Sequence, residues 1–287
     1  MKTTFKKLLN SPNLLVLPCA HDALSAKLIE QAGFPAMAVG GFAVAATRYG
    51  LPDIGVTSFG EIAAGVRDML AATSLPMLVD ADDGYGDVKN VTRTVRAYEA
   101  MGVGGLVLED QTSPKRCGHT AGKNVVPRSL AESKLKAALD ARRDTDLFIV
   151  ARTDARAVLG MDEAIERGHR FLEIGADALF VEAPQSVAEL ELIGKSFGSA
   201  TLVANVAENS LTPVLTPSEL KQLGFSILVY PGAILWRVVV TMRKVLDQLK
   251  RGELETPDDL LQFHEMTSIL GMQEWVEIDK KFNDSDN

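Results

Sequence analysis

The sequence contains little cysteine, no long apolar run and no excess of positive charge. Its two cysteines, Cys19 and Cys117, lie far apart and form no CxxC pair, which argues against a disulfide framework or a structural zinc site. The N-terminus, MKTTFKKLLN, lacks the apolar stretch of a secretory signal, and no uncharged apolar run reaches the roughly 18 residues of a membrane helix. The formal net charge of −8 disfavours non-specific nucleic-acid binding. These absences predict a soluble cytoplasmic protein with no membrane or nucleic-acid partner.

What the sequence does contain is a regular alternation of apolar and amphipathic segments. Its 287 residues, 46% of them hydrophobic, fit one large α/β barrel or two ordinary domains. Short runs of strand length alternate with stretches of helical length, as in βα units around a parallel sheet. The predicted strands are 14–17, 36–39, 77–79, 105–108, 147–151, 178–181, 201–204 and 226–230. The predicted helices are 23–31, 59–72, 90–100, 130–142, 162–173, 187–197, 217–223 and 233–250, and a further helical segment begins at Pro257.

Polar and small residues follow nearly all of these strands, whereas the strand starts are apolar. They are His21, Asp22, Gly40, Gly41, Asp80, Asp82, Glu109, Asp110, Arg152, Asp154, Glu182, Asn205 and Pro231. A (β/α)8 TIM barrel assembles its active site in this way. The alternative, a doubly wound open sheet, would concentrate ligand groups at one crevice, and the sequence has no GxGxxG or Walker motif. We therefore predict a single α/β barrel domain over 1–287, with a C-terminal helical extension over about 233–287.

Carboxylates end two consecutive strands. Asp80, Asp82 and Asp83 follow one strand, and Glu109 and Asp110 follow the next. Brought to one rim, these groups would repel one another unless a cation neutralised them, although acidic residues at loop starts often contact only solvent. Oxygen ligands favour Mg²⁺, with Mn²⁺ as the second choice. We predict that Asp82 binds the metal directly and that Asp80 and Glu109 do so directly or through water.

The loop after the fourth strand has the features of a reactive-cysteine loop. It reads Lys115, Arg116, Cys117, Gly118 and His119, or KRCGH. Lone cysteines usually pack in the core, but the neighbouring cations and His119 are expected to lower the thiol pKa. Cys117 would then donate or accept a proton near neutral pH. The glycine would let this loop approach a ligand and cover it.

KRCGH and five further motifs resemble the isocitrate lyase/phosphoenolpyruvate mutase superfamily. The others are GLPD (50–53), VDADDGYG (79–86), LEDQ (108–111), ARTD (151–154) and FVEA (180–183). The resemblance runs in order from about residue 10 to about residue 280 and is strongest to the small carbon–carbon lyases. That branch includes 2-methylisocitrate lyase, 2,3-dimethylmalate lyase and petal death protein. The mutases and phosphonopyruvate hydrolases of the superfamily have other loops in place of KRCGH.

The resemblance implies both a metal site and a substrate site. Asp82 would be the direct Mg²⁺ ligand, Asp80 and Glu109 would hold its waters, and Cys117 would be the catalytic thiol. Arg152 would pair with a substrate carboxylate or with the oxygen that becomes a ketone. The substrate-binding set is Gly40, Gly41, Phe42, Asp53, Arg152, Glu182, Asn205, Glu208 and Pro231. The resemblance also implies that the last helix is exchanged between subunits of a homo-oligomer, usually a tetramer.

Two positions depart from the family pattern. Members often have serine where this chain has Gly40, and isocitrate and 2-methylisocitrate lyases have histidine where it has Val107. Petal death protein also lacks that histidine. Val107 therefore favours a 2-alkylmalate over 2-methylisocitrate as the substrate.

Taken together, these features predict a Mg²⁺-dependent carbon–carbon lyase. It would cleave a 2-hydroxy dicarboxylate or tricarboxylate, of the 2-alkylmalate, 2,3-dimethylmalate or 2-methylisocitrate type, to a 2-oxo acid such as pyruvate and a carboxylate. Cys117 would protonate the enediolate left by a retro-aldol cleavage. The alternatives are an oxaloacetate decarboxylase, a phosphonopyruvate-type mutase or hydrolase, and, in another class, a barrel that binds a metabolite without catalysis.

Overall fold

The computed structural model describes residues 3–283, and its centre is a closed barrel of parallel strands. Each strand pairs with the next, and the last pairs with the first over Leu15–Pro18. The strands are β1 (Leu15–Ala20), β2 (Met37–Val39), β3 (Met77–Asp80), β4 (Gly105–Glu109), β5 (Phe148–Thr153), β6 (Ala178–Val181), β7 (Leu202–Asn205) and β8 (Ile227–Tyr230). The predicted (β/α)8 barrel is confirmed, and the open sheet is excluded by the closure of β8 on β1.

Helices follow the strands in alternation. They are α1 (Phe5–Leu8), α2 (Ala23–Gln31), α3 (Gly41–Val44), α4 (Phe59–Ala72), α5 (Val88–Met101), α6 (Arg128–Ala141), α7 (Ala155–Leu159), α8 (Met161–Ile174), α9 (Val187–Phe197), α10 (Pro217–Gln222), α11 (Ala233–Arg251), α12 (Phe263–Ile269) and α13 (Met272–Asn283). A π-helical turn, Ala45–Tyr49, extends α3. Local signals fix several ends: Ser58 and Glu61 form a capping box at the start of α4, and Gly102 ends α5 in a left-handed conformation.

The barrel interior is apolar at its amino end. Phe5 of α1 is fully buried there against Phe148, the first residue of β5, with ring centroids 5.8 Å apart. Leu17, Leu78 and the other inward-facing strand residues fill the space above it. A second, larger cluster packs the helices onto the outside of the strands. Because the amino end is closed by apolar side chains, polar groups have room only at the carboxyl end.

Three sequence predictions need correction in detail. Four strands run one or two residues further than predicted, since polar residues at their ends still pair: Glu109 lies opposite Arg152 in the β4–β5 ladder. β1 runs three residues further, to Ala20, which pairs with Val39 of β2. No helix is predicted from the sequence directly after β2, but this segment forms α3 and the π-helical turn. The helix predicted to begin at Pro257 begins at Phe263, where the Glu265 carboxylate accepts a 2.7 Å hydrogen bond from the Gln262 N–H.

The chain divides between Leu235 and Trp236 into two compact units. The first, Met1–Leu235, contains the barrel. The second, Trp236–Asn287, contains most of α11 together with α12 and α13, and it exposes large apolar side chains, Phe263 at 86% among them. Within residues 3–283, no helix combines the length and the apolar character that a membrane crossing requires. The single barrel domain with a C-terminal extension stays a prediction.

Candidate active site

The carboxyl ends of β3 and β4 bring the predicted metal ligands together. The Asp82 N–H donates to Asp80 Oδ1 at 3.0 Å, and the Asp82 carbonyl accepts from the Glu109 N–H at 3.0 Å. Asp82 has a left-handed backbone with φ of 49°, which these two bonds hold in place. Gly41 lies so close that an added Cβ would be 3.1 Å from Asp82 Oδ1 and 3.7 Å from Asp80 Oδ2. Glycine therefore lets the backbone after β2 approach the carboxylates.

A buried ammonium group, that of Lys115, stands among these carboxylates. Its Nζ lies 2.5 Å from Asp82 Oδ1 and 2.6 Å from Asp53 Oδ1, and all three side chains are at most 8% exposed. Burial alone would lower the pKa of Lys115, but the carboxylates, Asp82 first among them, raise it well above its usual range. Lys115 is therefore a permanent cation that belongs to the carboxylate cluster.

Lys115 does not fully neutralise these carboxylates. Burial raises the pKa of Asp82 to about 7 and that of Glu109 well above its usual range. Glu109 Oε1 is buried without a hydrogen-bond partner, and its Oε2 lies 3.3 Å from both Arg152 Nη2 and Gln111 Nε2. Buried, unpartnered carboxylate oxygens are the donors that a hard divalent cation satisfies.

No preformed cage surrounds a metal position. Within residues 3–283, no three His, Cys, Asp or Glu side chains converge as a ligand set. Mg²⁺ does not require such a cage, because it usually keeps several waters and takes only one or two carboxylates directly. Direct binding by Asp82, with Asp80 and Glu109 holding waters, therefore fits these residues.

Two residues outside the KRCGH motif, Asp53 through its backbone and Gln111 through its side chain, hold the loop at Cys117. The Cys117 N–H donates to the Asp53 carbonyl at 3.0 Å. The Gln111 side-chain amide accepts from the Arg116 N–H and donates to the Arg116 carbonyl, both at 2.9 Å. The backbone of the motif is thus fixed directly before the thiol-bearing residue.

The prediction that neighbouring cations lower the thiol pKa is wrong. Burial raises the pKa of Cys117, and the carboxylates of Asp53 and Glu182 add to this effect, against a backbone hydrogen bond from His119 and the charge of Arg152. The ammonium of Lys115 is engaged with carboxylates, and the side chain of Arg116 is exposed, with Nη1 3.5 Å from the Ala121 carbonyl. Lys115 and Arg116 are therefore close to Cys117 in the sequence, but their charged groups make their contacts elsewhere.

Gly118 packs directly on the groups at the ends of β5 and β6. An added Cβ would lie 2.4 Å from Arg152 Nη2 and 2.6 Å from Glu182 Cγ, so no other residue fits here without displacing them. Arg152 Nε lies 3.4 Å from Glu182 Oε2, and His119 Nε2 lies 3.2 Å from Glu182 Oε1 and 3.4 Å from Asn205 Nδ2. The KRCGH loop therefore covers a polar cluster contributed by β5, β6 and β7.

This second cluster also contains unsatisfied groups. Both Glu182 carboxylate oxygens and Asn205 Oδ1 are buried and lack a partner in hydrogen-bonding geometry. The guanidinium of Arg152 keeps its charge, since the carboxylates of Asp154, Glu182 and Glu109 outweigh burial and raise its pKa. A buried cation beside unsatisfied polar atoms is suited to binding a small polar anion.

The other predicted site residues lie at the same end of the barrel. Gly40 is the N-cap of α3, Phe42 is half-buried within α3, and Pro231 is half-buried after β8. Glu208 lies after β7, near enough to Tyr230 to add to the effect of burial in raising the pKa of that phenol. The side chain of Arg116 is the one predicted group that is exposed on the far side of its loop.

The sequence interpretation assigned no role to three residues that shape the site. Gln111, Lys123 and Asp154 lie in or next to the quoted motifs, but no pattern in the sequence shows which side chain of a loop turns inward. A cavity of about 370 Å³ also reaches Asp82 and Lys115 from the start of α4 and the side of α5. Its position depends on packing between two helices, which the motifs do not describe.

The family can be assigned from a direct sequence match. Residues 5–250 match the sequence model of the family described as phosphoenolpyruvate phosphomutase. The chain belongs to this family. Within it, the chain is 37% identical over 279 residues to 2,3-dimethylmalate lyase of Eubacterium barkeri, a match that covers 96% of each protein. The family resemblance predicted from KRCGH and its companion motifs is confirmed.

Two solved structures that are similar to this chain have the same fold. Oxaloacetate acetylhydrolase in complex with 3,3-difluorooxalacetate superposes with a TM-score of 0.90 at 32% identity, covering 96% of each chain. Phosphonopyruvate hydrolase in complex with oxalate and Mg²⁺ superposes with a TM-score of 0.85 at 30% identity, again covering 96% of each chain. The fold therefore accommodates several reactions on small oxo acids, and a metal ion is bound in one of these relatives.

Proposed function

We propose that this protein is a Mg²⁺-dependent carbon–carbon lyase that cleaves a 2-hydroxy dicarboxylate, preferably a 2-alkylmalate such as 2,3-dimethylmalate, to a 2-oxo acid and a second carboxylate. The observation that carries the proposal is the packing of the KRCGH loop. Gly118 packs against Arg152 and Glu182, so the loop that carries Cys117 lies on a buried polar cluster whose composition is suited to binding an anion. Similarity to 2,3-dimethylmalate lyase along nearly the whole chain supports the same reaction class.

Asp82, Asp80 and Glu109 would hold the metal. When bound, Mg²⁺ would polarise the 2-hydroxy group and an adjacent carboxylate of the substrate. The backbone at Gly41 approaches the same carboxylates. The amides of Gly40 and Gly41 would serve as donors to the 2-oxo acid part of the ligand. Burial of these groups excludes water and strengthens each charge interaction.

The remaining residues would bind the second carboxylate and deliver a proton. Breaking the carbon–carbon bond leaves its electron pair on the carbon next to that carboxylate, and Arg152 supplies the fixed positive charge that this fragment needs. The raised pKa of Cys117 keeps its thiol protonated near neutral pH, which suits a proton donor in the cleavage direction. As the bond breaks, the 2-hydroxyl group releases its proton and becomes the carbonyl of the 2-oxo acid, and a proton passes from Sγ to the carbanionic carbon. The thiolate then recovers a proton from solvent after product release.

We further propose that the protein works in the cytoplasm as a homo-oligomer, a tetramer in which the last helix is exchanged. Exposed apolar side chains in the second unit support this proposal, Phe263, Trp275 and Phe282 among them.

The function is tested by measuring 2-oxo acid release with and without Mg²⁺ from 2,3-dimethylmalate, 2-ethylmalate, 2-methylisocitrate and oxaloacetate. Turnover of a 2-alkylmalate that requires Mg²⁺ is the expected result. The Cys117→Ser variant should bind Mg²⁺ normally but lose several orders of magnitude in turnover, because a hydroxyl is too weak an acid to replace the thiol.

A second candidate is supported by the likeness to oxaloacetate acetylhydrolase. Release of acetate and oxalate from oxaloacetate, with no turnover of any alkylmalate, would replace the lyase proposal with this hydrolytic reaction. Carbon dioxide release from oxaloacetate alone would indicate a decarboxylase.

A further inference from the structure

Lys123 is a buried lysine at the base of the loop that carries Cys117. This loop, residues 112–124, is closed at its base by a bridge between Gln111 and Val125 and by a 2.9 Å hydrogen bond from the Thr112 N–H to the Asn124 carbonyl. The Lys123 side chain is 3% exposed, so its charge must be neutralised inside the protein. Its Nζ donates to the Gly118 carbonyl, in the middle of the loop, and to Asp154 Oδ1 at 2.9 Å.

Asp154 is the carboxylate that Lys123 and Arg152 share. Oδ1 accepts from Lys123 Nζ and, at 3.1 Å, from Arg152 Nη2, while Oδ2 accepts from Arg152 Nε at 2.9 Å. Burial opposes ionisation of Asp154, but Arg152 and Lys123 outweigh it and hold the pKa of this carboxyl below its usual range. Asp154 is thus a permanent anion with one cation from the loop and one from β5.

The barrel holds Asp154 from behind. Its N–H donates to Asp110 Oδ1 at 2.8 Å. Asp110 Oδ2 accepts from Thr153 Oγ1 at 2.7 Å and from Arg167 Nη1 at 3.0 Å. Since these groups lie at the ends of β4 and β5 or in α8, the barrel holds the Asp154 backbone, while the Asp154 carboxylate is held by Lys123 and Arg152.

We propose that Lys123 is a positioning residue that couples the Cys117 loop to the orientation of Arg152 through the shared carboxylate of Asp154. With the loop over the site, Lys123 joins the Gly118 carbonyl to Asp154, and Arg152 is held in the bidentate pair that places it under Gly118. When the loop leaves, the Gly118 carbonyl is removed from Lys123. The anion-binding group and the proton donor are therefore assembled together only while the loop covers the site. The inference rests on the proposed function only in taking Cys117 and Arg152 as the groups that act on the substrate.

The test measures how fast iodoacetamide alkylates Cys117 in the full-length, substrate-free protein, by mass spectrometry at one pH. Cys19 does not interfere, because burial raises the pKa of its thiol to about 12. In Lys123→Met, which keeps the length of the side chain but removes its charge, we expect alkylation at least about tenfold faster, since a buried charge-assisted hydrogen bond to the loop is lost. Lys123→Arg should restore a slow rate. The matched control, Lys89→Met, removes a lysine whose side chain is 85% exposed and should leave the rate unchanged.

Asp154→Asn provides a second measurement if Lys123→Met does not fold. It keeps the size of the side chain and removes the shared charge, and it should also accelerate alkylation. Rates within about twofold of the native rate in whichever of these variants fold would overturn the proposal, as would failure of Lys123→Arg to restore the slow rate. The readout needs no turnover. Faster alkylation of the variants, together with a native protein that has no lyase activity, would therefore support the coupling and refute the proposed reaction. Lyase activity of the native protein, together with unchanged alkylation of the variants, would support the reaction and refute the coupling.

Discussion

Asp82 combines a buried carboxylate, a left-handed backbone and a neighbouring cation in one residue. We expect Asp82→Ala to abolish both activity and Mg²⁺ binding. The protein should stay folded with reduced stability, because alanine is strained at this left-handed position but Lys115 keeps its 2.6 Å ion pair with Asp53. Calorimetric titration with Mg²⁺ and thermal unfolding would be measured on the same sample. Asp87→Asn, on an exposed residue of the same loop that keeps its capping role, is the control. A metal-independent Asp82→Ala enzyme with near-native turnover would remove the basis for the metal site.

The Cys117 thiol should show its raised pKa directly. Because the pKa lies above the ordinary cysteine value of roughly 8.5, the neutral thiol dominates near pH 7 and thiolate forms only as the pH rises further. The rate of alkylation should therefore increase nearly tenfold for each pH unit from about 6 to about 8.5, without levelling off. A free small-molecule thiol measured in parallel provides the reference curve. A plateau already at neutral pH would mean that the neighbouring cations do activate the thiolate.

Val107 is a buried strand residue. The family resemblance implies a histidine at this position in isocitrate and 2-methylisocitrate lyases. The missing imidazole is a missing hydrogen-bond donor, so we expect a higher kcat/KM for 2-alkylmalates than for 2-methylisocitrate. The comparison of the two substrates needs no variant. A preference of tenfold or more for 2-methylisocitrate, about 1.4 kcal/mol in transition-state stabilisation, would contradict this interpretation.

At the scale of elements, close helix contacts depend on single glycines. In α9, a Cβ on Gly194 would lie 1.7 Å from the Leu223 carbonyl oxygen, a backbone atom that cannot turn aside. Gly194→Ala should lower the free energy of unfolding by more than about 2 kcal/mol, measured by urea denaturation. In α4, Gly60 has only Ser58 Oγ at 4.0 Å, and Gly60→Ala should be neutral or stabilising by up to about 1 kcal/mol. Equal changes in the free energy of unfolding at the two positions would show that the backbone at Leu223 moves aside at little cost.

Periodicity predicted the elements better than their contacts. The spans of α2, α4, α9 and β6 match those predicted, because apolar spacing and end signals both lie within the segment itself. The predicted start of α12 is wrong, because proline is common in the first turn of a helix but the capping pair at Gln262 and Glu265 is what begins this one. The residues at the strand ends were also predictable. The ion pairs of Lys115 with Asp53 and Asp82 were not predictable, because they join segments that are far apart in the sequence.

At the scale of the whole molecule, the second unit should determine assembly. Light scattering on the purified protein should give a mass above the 30.9 kDa of one chain, because large exposed apolar side chains mark association surfaces. Trp275→Glu, at a residue 66% exposed, should reduce that mass. Leu192→Glu, on an exposed leucine of the barrel unit, is the control that should not. A native mass of one chain would refute the oligomer.

The closure of the amino end by Phe5 has a consequence for how such proteins diverge. Phe5 and Phe148 seal the end of the barrel opposite Asp82 and Cys117, so the residues that keep the fold together and the residues that handle the ligand occupy opposite poles. Selection for heat tolerance and selection for a new substrate can then act on separate sets of positions. A descendant could acquire another chemistry at one pole while inheriting the other pole unchanged, which gives an ancestral barrel of this kind a wide range of possible reactions.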